Sequence, residues 1–301
     1  MKLVYCQLDP GNFGDDLNAW LWTELFPPGF FDDDPQELFY GIGTLLSNRL
    51  PKTPRKIIFG AGTGYKKPPA IDETFSIYFV RGPLTAHRLG LAPTAAIADP
   101  AYLILKTAFA RQPVEHEDAV TVIPHHLTME SVDWKLIAGL TGISILDPRG
   151  PCLDVIRRIR ASQLVITESL HGAILADAFR VPWIPVRISH RFLDFKWADW
   201  VQSINLDFTP QDLPPVFHGP IPFPKRTTNF LRNRVATAGL GPTAWKRRPY
   251  RQNSPVDNER FGQALVNLAK TGQSLLSSDR TLHHILASLT TQVDRLSSAR
   301  H

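Results

Sequence analysis

Short apolar runs repeatedly end on a glycine-rich or polar turn and then give way to an amphipathic segment. This repetition constrains the fold more than any other feature. The first series is "KLVYCQL" before "GNFGDDLNAW", "ELFYGIG" before "TLLSNRL", "KIIFGAGTG", and "FSIYFVRGPLTAHRLG"; "AAIADPAYL" closes it. A second series opens after "RQPVEHED" with "AVTVIPHH", continues through "GISILDPRGPCLDVIRRIRAS", and ends with "QLVITESLHGAILADAFRVPWIPV". Apolar runs of this length alternating with helical patterns predict parallel strands with helices on both sheet faces. Pro83 and Gly90 mark one such helix, since proline suits the first helical turn and glycine the residue past the last.

Two series predict an α/β protein of two Rossmann-like halves facing across a cleft. The expected divisions are an N-terminal domain over 1–112, a second over 113–213, and a connector and helical tail over 214–301. After Val186 the pattern dissolves into an aromatic, helix-like "FLDFKWADWVQSI" and a proline-rich "PPVFHGPIPFP". From about residue 258 helical apolar spacing returns, and this tail either packs back on the sheets or binds a partner. The basic "WKRRPYRQN" between them reads as a solvated loop.

Charge and cysteine content narrow the classes. Lys plus Arg number 33 against 28 Asp plus Glu, a net charge of +5 that favours an anionic ligand but falls short of a nucleic-acid binder. Two distant cysteines, Cys6 and Cys152, make neither a disulfide framework nor a CxxC metal site. There is no signal-peptide pattern and no apolar run of about 18 residues, so a reducing, cytoplasmic location is expected.

In open parallel sheets ligands sit at the carboxyl ends of the strands. Asn12–Asp16, Gly60–Gly64, Arg81, Asp99, His125, Arg149 and Glu168–His171 all come just after an expected strand end. Asp15 or Asp16 can cap a helix beginning near Leu17, with positions 17, 20, 21 and 25 as its buried stripe. Capping needs one acid. Two carboxylates repel a phosphate, so the second is expected to face the cleft and hold or deprotonate hydroxyls, with Asn12 adding an amide and Gly14 a close backbone approach. Arg81 offers the planar fork that binds carboxylate or phosphate; a surface arginine is the alternative. The glycine loop either turns the chain or presents free amides to an anion. His171, at the start of "HGAILADAF", suits general acid–base work worth about 10²- to 10⁴-fold in rate, with Glu168 or Ser169 near enough to influence its proton; a hydrogen-bonded core histidine is the alternative. His125 and His126 alternate across a strand end, so only one should face the cleft, which argues against a paired-histidine metal site. Asp32–Asp34 reads as a solvated turn.

Taken in order, "NFGDDLN", "FVRGPLTAHRLG", "IADPAYL", "PHH" and "TESLHGAILADAFRVPWIPV" resemble the polysaccharide pyruvyl transferase family, in particular its succinoglycan-type exopolysaccharide branch. The resemblance covers roughly residues 1–215. It implies a fold similar to the two-domain glycosyltransferase B type, and transfer of pyruvate from phosphoenolpyruvate onto two hydroxyls of one sugar as a cyclic ketal. It also implies a lipid-linked oligosaccharide acceptor, and hence work near the inner membrane face, where the basic stretch Lys246–Arg251 could assist. No cofactor, metal or nucleic acid is expected. Many members carry arginine where this chain has Ser169 and aspartate where it has Gly82, which leaves one donor-binding cation to be sought at Arg149 or Arg187.

On this resemblance His171 and Asp15 are the catalytic pair. Arg81, Gly60, Gly62, His125, Arg149, Glu168 and Ser169 are the donor-binding set, and Asn12, Gly14 and Asp16 the acceptor-binding set. His171 would protonate the donor methylene, and Asp15 would orient or deprotonate a hydroxyl. A glycosyltransferase of the same two-domain type using a nucleotide sugar, and a carbohydrate-binding relative without catalysis, remain as alternative functions.

Overall fold

The structure, a computed structural model, describes residues 1–117, 119–189, 192–216 and 253–300. The Lys246–Arg251 stretch and most of the proline-rich connector lie outside the described residues.

Two all-parallel sheets organise the chain. The first holds β1 (Lys2–Val4), β2 (Glu37–Tyr40), β3 (Arg55–Phe59) and β4 (Phe75–Phe79) in that spatial order. The second has the order β6 (Ser144–Ile145), β5 (Val120–Ile123), β7 (Leu164–Thr167), β8 (Trp183–Arg187) and β9 (Gln211–Asp212). The strands are near-continuous apolar runs because both faces are covered. In β3, for example, Ile57 and Phe59 join one core while Ile58 joins another on the opposite face. Mixed α/β architecture with parallel sheets is what the sequence pattern implies.

The helices are α1 (Phe13–Leu25), α2 (Pro83–Arg88), α3 (Ala108–Arg111), α4 (Trp134–Thr141), α5 (Cys152–Ala161), α6 (Leu170–Ala178), α7 (Asp194–Ser203), α8 (Pro255–Thr271) and α9 (Asp279–Ser298). A 3-10 helix over Pro100–Lys106 comes directly after Asp99. "TLLSNRL", an amphipathic segment by pattern, is a loop. Helix α2 starts and stops as expected, with Gly90 at φ +68° after it.

The two sheets share one core. It runs from Trp22, Phe39 and Phe59 on the first sheet's side, through Tyr102 and Ile174, to Trp183, Trp197 and Trp200 in the second half. Each fully buried aromatic contributes about 1.5–3 kcal/mol of transfer energy, so this seam holds the halves together. The tail packs back on the sheets. In α8, Phe261 and Leu265 cover the second sheet beside Trp134. In α9, Leu282, Ile285 and Leu289 enter the shared core, and Arg295 lies over the Tyr78 ring of β4.

A buried carboxylate fastens this return. Asp177 accepts hydrogen bonds from Tyr102 Oη (2.7 Å), Trp183 Nε1 (3.1 Å), Ser277 N (2.7 Å) and Ser277 Oγ (2.6 Å). Four donors offset the cost of sealing an acid in the interior.

Candidate active site

The carboxyl ends of both sheets open onto one cavity of about 670 Å³. Asn12 and Asp15 reach it after β1, Thr44 after β2, Tyr65 and Lys66 after β3, and Arg81 after β4. The second half contributes His125 and His126 after β5, Ser169 and His171 after β7, and Lys196 after β8. In the second sheet the chain leaves β5 toward β6 on one side and leaves β7 toward β8 on the other. His125 and His171 therefore flank the point where the strand order reverses, the usual crevice for ligands in such sheets.

Helix α1 begins at Phe13, four residues earlier than its apolar spacing implies, because Asn12 takes the extended N-cap conformation and Phe13 N donates to Pro148 O at 2.9 Å. Neither aspartate occupies the cap position. Asp16 Oδ2 accepts from Asn12 N at 3.0 Å, and this carboxylate turns back toward Gly11, outside the cavity lining. Asp15 Oδ2 accepts from Asn12 Nδ2 at 2.6 Å and faces the cavity. Burial pushes the Asp15 carboxyl up to about 6; Asn12 and Lys196 oppose the rise, while Asp16 and Asp99 add to it. Asn18, on the same helix and fully buried, uses its amide to tie Asp15 O and Ile42 O, and its carbonyl to accept from Ile42 N and Trp22 Nε1. That staple fixes α1 against the loop after β2.

Arg81 lines the cavity, but its charge is matched. Its Nε donates to Asp199 Oδ2 at 3.0 Å, Nη1 to Thr44 Oγ1 at 3.0 Å and Nη2 to Thr63 O at 3.2 Å. Both members of the ion pair are sealed, at 1% and 0% exposure. Asp199 also accepts from Thr85 N and Thr85 Oγ1. Two glycines make room for this arrangement. A β-carbon on Gly62 would lie 2.8 Å from Arg81 Nε and closer still to Cζ, and one on Gly82 would lie 2.6 Å from Asp199 Oδ1 and closer still to its backbone oxygen.

Lys196 and Asp199 stand three residues apart on α7, so one helix face supplies a cation to the cavity and the anchor for Arg81. Lys196 is 8% exposed, and its Nζ donates to Tyr65 Oη at 3.2 Å. Lys66 is an exposed second lysine at the rim. Two helix N-termini add to the positive field: α1 starts just after Asn12, whose side chain makes no capping bond, and Ser169 caps α6 by accepting from Gly172 N at 3.4 Å.

His171 stands in the first turn of α6. Burial pushes its imidazole down to about 3, with Lys196 and then Arg81 adding to the fall. Its Nε2 lies 3.8 Å from Asp99 Oδ2.

Several expected positions fall elsewhere. Gly60 and Gly62 lie off the cavity, and their amides are used inside the fold, on Phe79 O and Gly43 O at 2.9 Å each. Gly60 is needed for its φ of +100°. Gly14 serves as space for His171 rather than as a cavity residue. Glu168 is fully buried and takes His125 N (3.1 Å), Ser189 N (2.7 Å) and Ser189 Oγ (2.8 Å), which pins the loops after β5 and β8. Arg149 is held by Asp147 on its own turn, with Nε at 2.9 Å and Nη2 at 2.7 Å, and lies off the cavity. Arg187 pairs with Asp194 and Asp212. Of Arg149, Arg187 and Lys196, only Lys196 lines the cavity. His125 and His126 both line it, with rings 4.2 Å apart, because Pro124 ends the strand and a turn closed by Thr128 N on His125 O replaces the alternation. Among the described residues no cluster of three His, Cys, Asp or Glu could hold a metal ion.

Three cations, three histidines and a carboxyl that burial pushes up to about 6 thus gather at the carboxyl ends of two parallel sheets, an arrangement suited to a small anion beside a proton-exchanging group. A family model described as "Polysaccharide pyruvyl transferase" matches residues 14–190. The chain is also 42% identical over 226 residues to the succinoglycan biosynthesis protein ExoV of Rhizobium meliloti (strain 1021), covering 71% of this chain and 68% of that protein. The chain belongs to the polysaccharide pyruvyl transferase family.

Proposed function

We propose that this protein transfers pyruvate from phosphoenolpyruvate onto two hydroxyls of one sugar in an exopolysaccharide repeat unit, forming a cyclic ketal. The observation that carries this reading is the single cavity in which Lys66, Arg81 and Lys196 face Asp15 and His171. A donor with a carboxylate and a phosphate needs fixed cations and helix N-termini, and the acceptor needs a group that takes a hydroxyl proton. Lys196 holds the donor, Arg81 sealed beneath it adds positive potential, Lys66 screens it from the rim, and Asn12 with Asp15 orients the sugar.

In the reaction His171 adds a proton to the donor methylene carbon, which becomes the ketal methyl. The central carbon turns electrophilic and one sugar hydroxyl bonds to it. The second hydroxyl bonds there as the carbon–oxygen bond to phosphate breaks. Of the two hydroxyl protons released, one replaces that spent on the methyl group and the other leaves with phosphate, with Asp15 as the relay. Fixing both reactants in the cavity supplies up to about 7–11 kcal/mol of the acceleration.

The relative's role in succinoglycan biosynthesis supports an exopolysaccharide acceptor, and a lipid-linked oligosaccharide is the form proposed here. Among the described residues no helix is long and apolar enough to cross a membrane. Incubation with phosphoenolpyruvate and candidate lipid-linked oligosaccharides should release phosphate and add the mass of one pyruvyl ketal to the acceptor. Release of phosphate with no change in acceptor mass would reject the transfer.

A further inference from the structure

Two buried polar atoms near the cavity have no hydrogen-bond partner among the described residues: Asp99 Oδ2 and His171 Nε2. They face each other at 3.8 Å. Asp99 is 0% exposed, and its other oxygen, Oδ1, accepts from Ala101 N at 3.0 Å to cap the 3-10 helix. A sealed carboxylate oxygen opposite a sealed ring nitrogen is costly unless a proton lies between them. At 3.8 Å the two atoms stand just outside hydrogen-bond length. The other ring nitrogen, Nδ1, is not among the sealed, unpartnered atoms, and the His171 side chain keeps 12% of its surface exposed. It lies beside the bare Cα of Gly14, and His171 itself lines the cavity.

We propose that Asp99 is the positioning residue of His171: it accepts the Nε2 proton, fixes the tautomer, and leaves Nδ1 as the atom that works on the substrate. The inference rests on the proposed acid role of His171 for its catalytic meaning, but not for the pairing itself. The charged groups around the pair are Arg81 at the end of β4, Lys196 and Asp199 on α7, and Asp15 on α1. The two cations oppose a charged imidazole, and the Asp99 carboxylate behind the ring is placed to offset them when Nδ1 carries a proton. In catalysis the Nδ1 proton passes to the donor methylene carbon, the Nε2–H···Oδ2 bond is kept throughout, and Nδ1 is reprotonated from a released hydroxyl proton.

The capping bond makes the pairing testable. In Asp99→Asn the side-chain oxygen stays on Ala101 N, so the amide NH₂ faces Nε2. A donor there requires a lone pair on the ring nitrogen, and the proton moves to Nδ1. This is the wrong-tautomer logic known from triads in which a carboxylate orients a histidine. The measurement is ¹⁵N NMR of the full chain labelled at histidine, with His171 assigned by its loss in His171→Gln. Wild-type protein at neutral pH should show Nε2 protonated and Nδ1 bare, and Asp99→Asn should show the reverse. Asp99→Ser keeps a capping oxygen but cannot reach the ring, and should show both tautomers. A wild-type Nδ1–H tautomer, or identical His171 signals in wild type and Asp99→Asn, would overturn the proposal.

Turnover tests the other layer. Asp99→Asn should lower kcat by about 10²- to 10⁴-fold with donor KM little changed, and should add no further loss in the His171→Gln background. A swapped tautomer with full turnover would leave the pairing in place and remove His171 as the acid.

Discussion

Gly14 and His171 pack so closely that a β-carbon on the glycine would lie 2.6 Å from the histidine Cβ, and closer still to Cγ and Nδ1. The first turn of α1 therefore sets where the imidazole stands, although the two residues belong to opposite halves of the chain. Gly14→Ala gains helix propensity of about 1 kcal/mol but forces the ring to move, at a cost of about 1–3 kcal/mol. The expected result is a melting temperature lowered by up to about 8 °C, with turnover lowered about 10²-fold, the usual penalty for a misplacement near 1 Å. Thermal unfolding and steady-state kinetics on one preparation separate the two effects.

Lys196 is the cation that the donor should feel most. It is nearly buried, and its hydrogen bond to Tyr65 goes to a hydroxyl rather than a carboxylate. Lys196→Ala should weaken phosphoenolpyruvate binding by about 10- to 100-fold, the scale of one charge-assisted hydrogen bond. Lys66→Ala, at an exposed position, should cost much less. Equal losses from the two variants in a direct binding titration would count against this ranking.

Arg81 and Asp199 test a different property. Removing one partner of a sealed ion pair strands the other, so Asp199→Ala should destabilise the fold by about 3–5 kcal/mol. Replacing both, as Arg81→Met with Asp199→Leu, should recover only part of that stability, because Thr85 N and Oγ1 lose their acceptor, and should bind donor more weakly. Denaturant unfolding reads the first effect and calorimetry the second.

The Asp15 carboxyl titrates near 6 in the fold, above its ordinary 3.8, so the native state holds that proton more tightly than the unfolded chain does. Its contribution to stability is full below about pH 3.8 and is lost as pH rises through 6. At neutral pH the buried carboxylate is a cost. Asp15→Asn should raise the melting temperature at pH 7.5 by about 2–4 °C, corresponding to about 1 kcal/mol, with the gain shrinking below pH 5. Acceptor kinetics should be impaired in the same variant.

The backbone plan and part of the site are legible in the sequence for the same reason. A strand buried on both faces leaves a continuous apolar run, and the residues just after that run must lie at the sheet's carboxyl edge. Asp15, Arg81 and His171 can be placed on one edge by that rule, and they do line one cavity. The local sequence does not carry which of these groups meet. Asp199 is 118 residues from Arg81, and Lys196 sits in an aromatic helix that lacks the strand-turn grammar. Their spacing of three residues among Phe195, Trp197 and Trp200 is the available signal, a charged pair on the aromatic, buried face of the helix. Asp99 is placeable at a strand end, but only the three-dimensional packing puts His171 opposite it. His125 and His126 mislead because Pro124 replaces strand alternation with a turn.

On the proposed function, this cavity takes phosphoenolpyruvate as donor and His171 acquires its working proton when the donor binds. Burial, Lys196 and Arg81 keep the free imidazole near 3, hence neutral at physiological pH, and an anionic donor would offset the two cations and raise it. Calorimetric titration of phosphoenolpyruvate, in buffers of different ionisation enthalpy, measures both parts at once. The expected result is saturable binding with net proton uptake, tightening as pH falls from 8 to 6, and loss of that uptake in His171→Gln with binding retained. Absence of phosphoenolpyruvate binding while a nucleotide sugar binds, or proton uptake unaltered in His171→Gln, would contradict it.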